Sequence, residues 1–193
     1  MTQPAGVILA GGRGARMGGV QKASLQLGGA TLLSRTVDRL EPQVARLAVN
    51  ANAPLQTDLP VLSDPVGGYL GPLAGVLAAI DWASGHDASH VVTVAVDTPF
   101  FPGDLVPRLM LAAETHADGL SVAATSDGAH GTFGLWPVAL RNDLARYLED
   151  GGRKVTDWTD RHGAAVALFP DTTPPLFFNI NRPADLERAT RWV

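Results

Sequence analysis

The sequence predicts an α/β protein, a three-layer α/β/α sandwich of Rossmann-like type with a mainly parallel sheet. Three observations carry that prediction. Short apolar runs rich in β-branched residues alternate with stretches at helical spacing along most of the chain. The runs are hydrophobic throughout, as strands covered on both faces must be. Several of them end on glycines or on a single polar residue, the pattern of strands that open into a ligand crevice.

In chain order, "GVILA" (Gly6–Ala10) is a buried strand feeding a glycine loop. "TLLSRTVDRL" follows as a helix with Leu33, Val37 and Leu40 on one face, Thr31 placed to cap it and Pro42 to stop it. "VARLAVN" is a strand ending at Asn50, and "PVLSD" a brief one ending at Asp64. "GPLAGVLAAIDWA" is a helix whose first turn suits Pro72 and whose apolar face holds Leu73, Val76, Leu77 and Ile80. "VVTVAV" (Val91–Val96) is the most β-branched run, a central strand ending at Asp97. A helix over Asp104–His116, strands "LSVAA" and "GTFGLW", a helix over Val138–Leu148 stopped at Gly151, a late strand "AAVALF" and a closing helix over Pro183–Arg191 complete the series. "DTTPP" (Asp171–Pro175) is a surface loop, and the pattern becomes less regular after Gly119.

Composition narrows the function. With 193 residues, 46% hydrophobic and 18% charged, the chain suits one well-buried globular unit. A net charge of −4 argues against general nucleic-acid binding, which needs basic excess. The absence of cysteine excludes disulfides, thiolate zinc sites and cysteine nucleophiles. Met1–Pro4 has no basic leader and Val7–Ala10 is too short to span a membrane, so a soluble cytoplasmic protein is expected.

Within "GVILAGGRGARMGGVQK" five glycines and three cationic side chains, with no acid, follow the first strand. Gly11, Gly12 and Gly14 allow close backbone approach, so successive amides can turn around an anion. The common phosphate fingerprints fail: Met17 replaces the third glycine of a dinucleotide motif, and Val20 stands where a P-loop needs lysine. Asn50, Asp64 and Asp97, each at the carboxyl end of an expected strand, face the same crevice as this loop. Taken alone, Asp97 is either a metal carboxylate or the cap of the turn before Pro99. Asn181 likewise is either a ligand or the cap of the last helix. His86 and His90 are read as solvent-facing loop residues, and Trp82, Trp136, Trp158 and Trp192 as packing residues, with Trp158 near enough to Arg153 to approach a bound heterocycle.

"LAGGRGARMGGVQK" resembles the L-A-G-G-x-x-x-R-M-G-G-x-x-K signature of the molybdenum cofactor guanylyltransferases, and the resemblance continues through "GPLAG", "VDTPF", "PGDLVPRL" and "FFNINRPADLERA". It implies a single nucleotidyltransferase domain over residues 1–193, with a nucleotide-binding half (1–118) and an acceptor-binding half (119–193). The implied reaction moves GMP from GTP to the terminal phosphate of molybdopterin and releases pyrophosphate. Leu9, Ala10, Gly11, Gly12, Lys22, Asn50, Asp64 and Asp97 match nucleotide positions, with Asp97 as the Mg²⁺ carboxylate and Lys22 on the phosphates. Arg16, Gly19, Gly71, Arg153, Asn179 and Asn181 match acceptor positions, and Arg16, Lys22 and Asp97 are the catalytic set. Cofactor-biosynthesis proteins or recipient molybdoenzymes are the implied protein partners, with no nucleic acid and no membrane.

The chain departs from the family's pattern at Gln21, where aspartate is usual, at Val96, Gly131 and Arg182. His130 precedes "GTFGLW" where the family carries a histidine. Gly11, where related cytidylyltransferases carry alanine, leaves room for the larger base and favours guanine. The rival readings are a cytidylyltransferase or another nucleotidyltransferase acting on a phosphorylated metabolite, and a non-catalytic nucleotide-binding module that delivers the cofactor.

Overall fold

The computed structural model describes residues 2–11, 21–65 and 71–193. Its strands are β1 (Ala5–Leu9), β2 (Gln26–Leu27), β3 (Ala30–Thr31), β4 (Arg46–Asn50), β5 (Val61–Leu62), β6 (His90–Ala95), β7 (Ser121–Thr125), β8 (Gly128–Pro137) and β9 (Ala165–Leu168). The α-helices are α1 (Leu32–Leu40), α2 (Pro72–Ser84), α3 (Leu105–Ala113), α4 (Arg141–Glu149), α5 (Val155–Arg161) and α6 (Pro183–Thr190).

Seven strands form one sheet in the order β5-β4-β1-β6-β8-β7-β9. The β1–β4, β1–β6, β4–β5 and β7–β9 pairs are parallel, whereas β8 runs antiparallel to both β6 and β7. Strand order therefore reverses at β1: the chain goes to β4 and β5 on one side, then returns to β6 on the other. That reversal leaves a crevice beyond the carboxyl ends of β1, β4 and β6.

Alternation along each strand sends side chains to two cores. Ile8, Val49, Val92 and Val94 meet Leu33 and Leu40 of α1, Leu105 and Leu109 of α3 and Ala189 of α6. Ala5, Val7, Ala48, Val91 and Val122 meet α2, α4 and Trp158 of α5 on the opposite face. The one polar residue within the apolar run of β6, Thr93, is fully buried, and its hydroxyl donates to Thr132 O at 2.9 Å and accepts from Trp136 Nε1 at 2.8 Å. Both polar groups are thereby satisfied in the core.

The starts expected for α1 and α2 hold, whereas Val138–Leu140, expected to open the fourth helix, form a 3-10 turn before α4. Thr31 caps α1 by accepting from Ser34 N at 3.0 Å, and Pro72 opens α2 after Gly71. Other features differ from expectation. The strand expected to begin at Gly131 begins at Gly128, because Ser126 and Asp127 turn β7 back into β8 as a hairpin. Helix α5 was not anticipated; its polar seven-residue sequence has too few apolar positions to show a period. His90 is not a solvent-facing loop residue but the half-buried first residue of β6. Its Nε2 has no hydrogen-bond partner among the described residues and sits where a Cβ on Gly119 would be 2.6 Å away. Trp158 is fully buried against Trp136 and donates to Asp143 at 2.9 Å, so it faces the core and not a ligand. Among the described residues no helix is long and apolar enough to cross a membrane.

Candidate active site

A cleft of about 440 Å³ opens at the strand-order reversal. Leu9, Gly11, Asn50, Asp64, Gly71, Asp97 and Asn179, all singled out by the sequence, line it together. Ala10, between the lining residues Leu9 and Gly11, is fixed by its amide, which donates to Asn50 O at 2.8 Å. Gly12, Arg16 and Gly19 lie outside the described residues.

At one end of the cleft the polar groups form a closed set. Asn50 is buried at the end of β4, and its Nδ2 donates to Asp64 Oδ1 at 2.9 Å and to Leu62 O at 3.1 Å. Asn52 Nδ2 donates to Asp64 Oδ2 at 2.7 Å, and Asn52 Oδ1 accepts from Asp64 N at 2.9 Å. Helix α2 presses on this set at Gly75, where a Cβ would come within 2.5 Å of Asn50 Oδ1. Glycine is required there by the neighbouring side chain, although glycine weakens a helix interior. Gly71 precedes the helix with φ +81°, a backbone conformation that suits glycine, and the amino end of α2 is thereby turned into the cleft.

At the other end Lys22 Nζ donates to Asp97 Oδ2 at 2.6 Å and to Asn181 Oδ1 at 2.5 Å. The two charged side chains are only 15% and 17% exposed, so solvent screens this pair less than an open surface pair. Gln21, the departure beside Lys22, turns away and donates to Pro54 O at 2.9 Å. Asp97 follows β6, and Ile180 N donates to its carbonyl at 2.8 Å, which draws the carboxyl-terminal segment to the cleft. The Asp97 carboxylate is thus engaged by a cation, not spent on capping the turn before Pro99.

Asn181 does not cap α6 either. Arg182 holds the N-cap position, and the Asp185 carboxylate accepts from the amides of Asn181 and Arg182 at 2.9 and 2.8 Å. Asn179 belongs to no strand and stands where the first cleft meets two more. The second, of about 460 Å³, is bounded by His130, Phe177, Arg153 and Lys154. His130 and Phe177 stack at 4.2 Å with an interplanar angle of 20°, and Thr125 Oγ1 lies 2.8 Å from His130 Nε2. Burial pushes the His130 imidazole below its usual value, with the Asp127 carboxylate opposing weakly. Arg153 lines this cavity, but its Nη1 donates to Leu148 O at 2.7 Å, tying down the end of α4.

Sequence reasoning missed Asn52, Gly75 and Thr132. Asn52 could have been found from "NAN", since residues two apart at a strand end share a side. Gly75 and Thr132 become visible only through packing.

The model of the MobA-like NTP transferase domain matches residues 6–166. A molybdenum cofactor guanylyltransferase of Cereibacter sphaeroides is 50% identical over 188 residues, covering 95% of this chain and 94% of that protein. Among solved structures, a molybdopterin-guanine dinucleotide biosynthesis protein A from Archaeoglobus fulgidus aligns with a TM-score of 0.73 at 24% identity, covering 97% of each chain. A Mycobacterium tuberculosis protein solved in complex with manganese aligns with a TM-score of 0.69 at 18% identity over the full length of both chains. With a family model spanning most of its length, and half its residues shared with a curated relative over nearly the whole chain, this chain belongs to the MobA-like NTP transferases and is a nucleotidyltransferase.

Proposed function

We propose that the enzyme transfers the GMP moiety of GTP to the terminal phosphate of molybdopterin, yielding molybdopterin guanine dinucleotide and pyrophosphate. The observation that carries this reading is the span of the cleft. Asp64 follows β5 and Asp97 follows β6, three interstrand steps away, roughly 14 Å at the usual spacing. That is the length from a nucleobase to its phosphates. Asn50 and Asp64 hold the nucleoside, the glycine loop and Lys22 the triphosphate, and the cavity beyond Asn179 takes the acceptor. The chain divides accordingly, residues 1–118 serving the nucleotide and 119–193 the acceptor.

The acceptor phosphate is a monoester with a second pKa of about 6, so it reaches the site as a nucleophile and needs no general base. One of its oxygens forms a bond to the α-phosphorus of GTP as the bond to the departing pyrophosphate breaks. The difficulty is bringing two polyanions together. Asp97 fits a divalent ion, Mg²⁺ in this reading: it lines the cleft, and one carboxylate suits an ion that completes its shell with phosphate oxygens and water. The Lys22 ammonium at 2.6 Å marks the place of a cation beside that carboxylate. When bound, the ion neutralises phosphate oxygens. Lys22 exchanges Asp97 and Asn181 for phosphate oxygens, and Asn181 then turns to the acceptor. The amino end of α2 adds the positive end of its dipole. Stacked against Phe177, His130 offers a flat wall to a heterocycle, with Lys154 at its rim.

Incubation with GTP, Mg²⁺ and molybdopterin is expected to release pyrophosphate and give the dinucleotide by mass spectrometry. Equal or better turnover of CTP on the same acceptor would overturn the guanine assignment. In this reading the enzyme works in the cytoplasm and its product goes to recipient molybdoenzymes.

A further inference from the structure

Asn52 belongs to none of the matched nucleotide or acceptor positions, yet it makes two of the bonds that fix Asp64. Its side-chain amide donates to the carboxylate at 2.7 Å and accepts from the main-chain amide of the same residue at 2.9 Å. Asn50 supplies the second donor, at 2.9 Å, to the other carboxylate oxygen. The plane of the carboxylate is therefore set by one amide on each oxygen. Every ionised carboxylate oxygen accepts more than one hydrogen bond, so each retains acceptor capacity toward the cleft it lines.

A carboxylate fixed in this way is a bidentate acceptor. Guanine presents N1–H and N2–H side by side, two parallel donors of matching spacing. Cytosine presents one donor, N4–H, beside the N3 acceptor, which a carboxylate repels. A carboxylate free to rotate still attracts donors but no longer demands two at once.

We infer that Asn52 is a positioning residue for base selection: by locking the Asp64 carboxylate it makes recognition of the guanine 2-amino group a condition of tight nucleotide binding. This inference rests on the guanine-nucleotide reading of the same site. The remaining bond from Asn50 to Asp64 is a single anchor, about which the carboxylate turns. Asn52 is exposed and lies beyond the end of β4, so its loss removes the second anchor without opening the core.

The test compares binding of GTP and ITP, which differ only by the 2-amino group, by titration calorimetry on the full chain without acceptor. A hydrogen bond to a charged acceptor makes wild type prefer GTP by about 10- to 100-fold. In Asn52→Ala the preference is expected to fall below about 3-fold, chiefly through weaker GTP binding, with ITP affinity little changed. Asn52→Asp, which sets a second carboxylate against Asp64, is expected to lose the preference as well. A ratio is insensitive to partial unfolding, and thermal denaturation of each variant checks the fold separately. A GTP-to-ITP preference that survives Asn52→Ala unchanged overturns the role of Asn52, as does a wild type that binds both alike. Preferential binding of CTP by wild type overturns the guanine reading itself.

Discussion

The two halves of the crevice are built differently. At the nucleotide end, polar side chains bond one another: Asn50 and Asn52 hold Asp64, and Lys22 holds Asp97 and Asn181. At the acceptor end, apart from the Thr125–His130 contact, the side chains bond the backbone or stack. Arg153 is tied to Leu148 O, Arg188 lies over Phe178 and Trp192 at 5.2 and 5.4 Å, and His130 is sandwiched onto Phe177. Directional bonds fix a geometry to tenths of an ångström, whereas stacked rings accept a range of flat partners. The nucleotide end should therefore fail abruptly when one atom moves, and the acceptor end by degrees.

The largest expected effect is at Asp97. Asp97→Ala removes the carboxylate that fits the ion and leaves Lys22 bonded to Asn181. A fall in turnover of about 10³-fold is expected, as for loss of a dominant electrostatic element at a phosphoryl-transfer centre. Steady-state kinetics at saturating GTP and Mg²⁺ measure it. Activity within a few-fold of wild type would remove Asp97 from the machinery and leave the nucleotide end without its charged anchor.

Gly75→Ala sharpens the comparison because it strikes the nucleotide end alone. Alanine improves an interior helical position by about 1 kcal/mol, but driving buried Asn50 off its partners costs about 1–3 kcal/mol, so the melting temperature should fall by a few degrees at most. Its Cβ, 2.5 Å from Asn50 Oδ1, forces that side chain off Asp64 and Leu62. The KM for GTP is expected to rise about 10-fold, equivalent to one lost charge-assisted hydrogen bond. An unchanged KM would mean that Asn50 yields freely and the set is not rigid.

Phe177→Leu probes the graded end. The substitution keeps an apolar side chain under His130 but loses the stack, so the KM for the acceptor should rise about 2- to 12-fold. The KM for GTP should not move. A loss of both together would show that the halves are one unit.

Much of this arrangement was legible in the sequence because strand ends are marked twice, by the end of an apolar run and by the polar residue that follows. Asn50, Asp64 and Asp97 carried that mark, and all three line the cleft. Helix α2 was equally plain, since Pro72 opens it and its apolar residues recur. Missed features depend on partners far along the chain. Gly75 is explained only by Asn50 and Leu9 against it, and the burial of His90 only by the absence of a Cβ on Gly119. Arg153 was matched to an acceptor position by the resemblance alone, and nothing local shows that its guanidinium also closes the end of α4. The antiparallel course of β8 had a local signal, the Asp127–Gly128 pair, which marks hairpins, but the alternating α/β pattern overrode it.

The smallest expected effect concerns pH and again falls on one half. His130 borders the acceptor cavities, whereas among the described residues no histidine lines the nucleotide cleft. Burial lowers its folded pKa below the usual 6.5. An imidazole so shifted contributes stability that is fully present above 6.5 and is lost as pH falls through the folded value, because the unfolded chain then binds the proton first. His90, lowered chiefly by burial with a partnerless Nε2, adds a contribution of the same sign. The melting temperature should therefore drop on acidification from about pH 7.5 to about pH 5.5, and His130→Gln should reduce that drop. The difference between the two proteins isolates the imidazole from carboxylates, which are common to both. If His130→Gln steepened the drop instead, the folded imidazole would be the better proton acceptor, and the acceptor wall would present a cation, not a neutral ring, to its ligand.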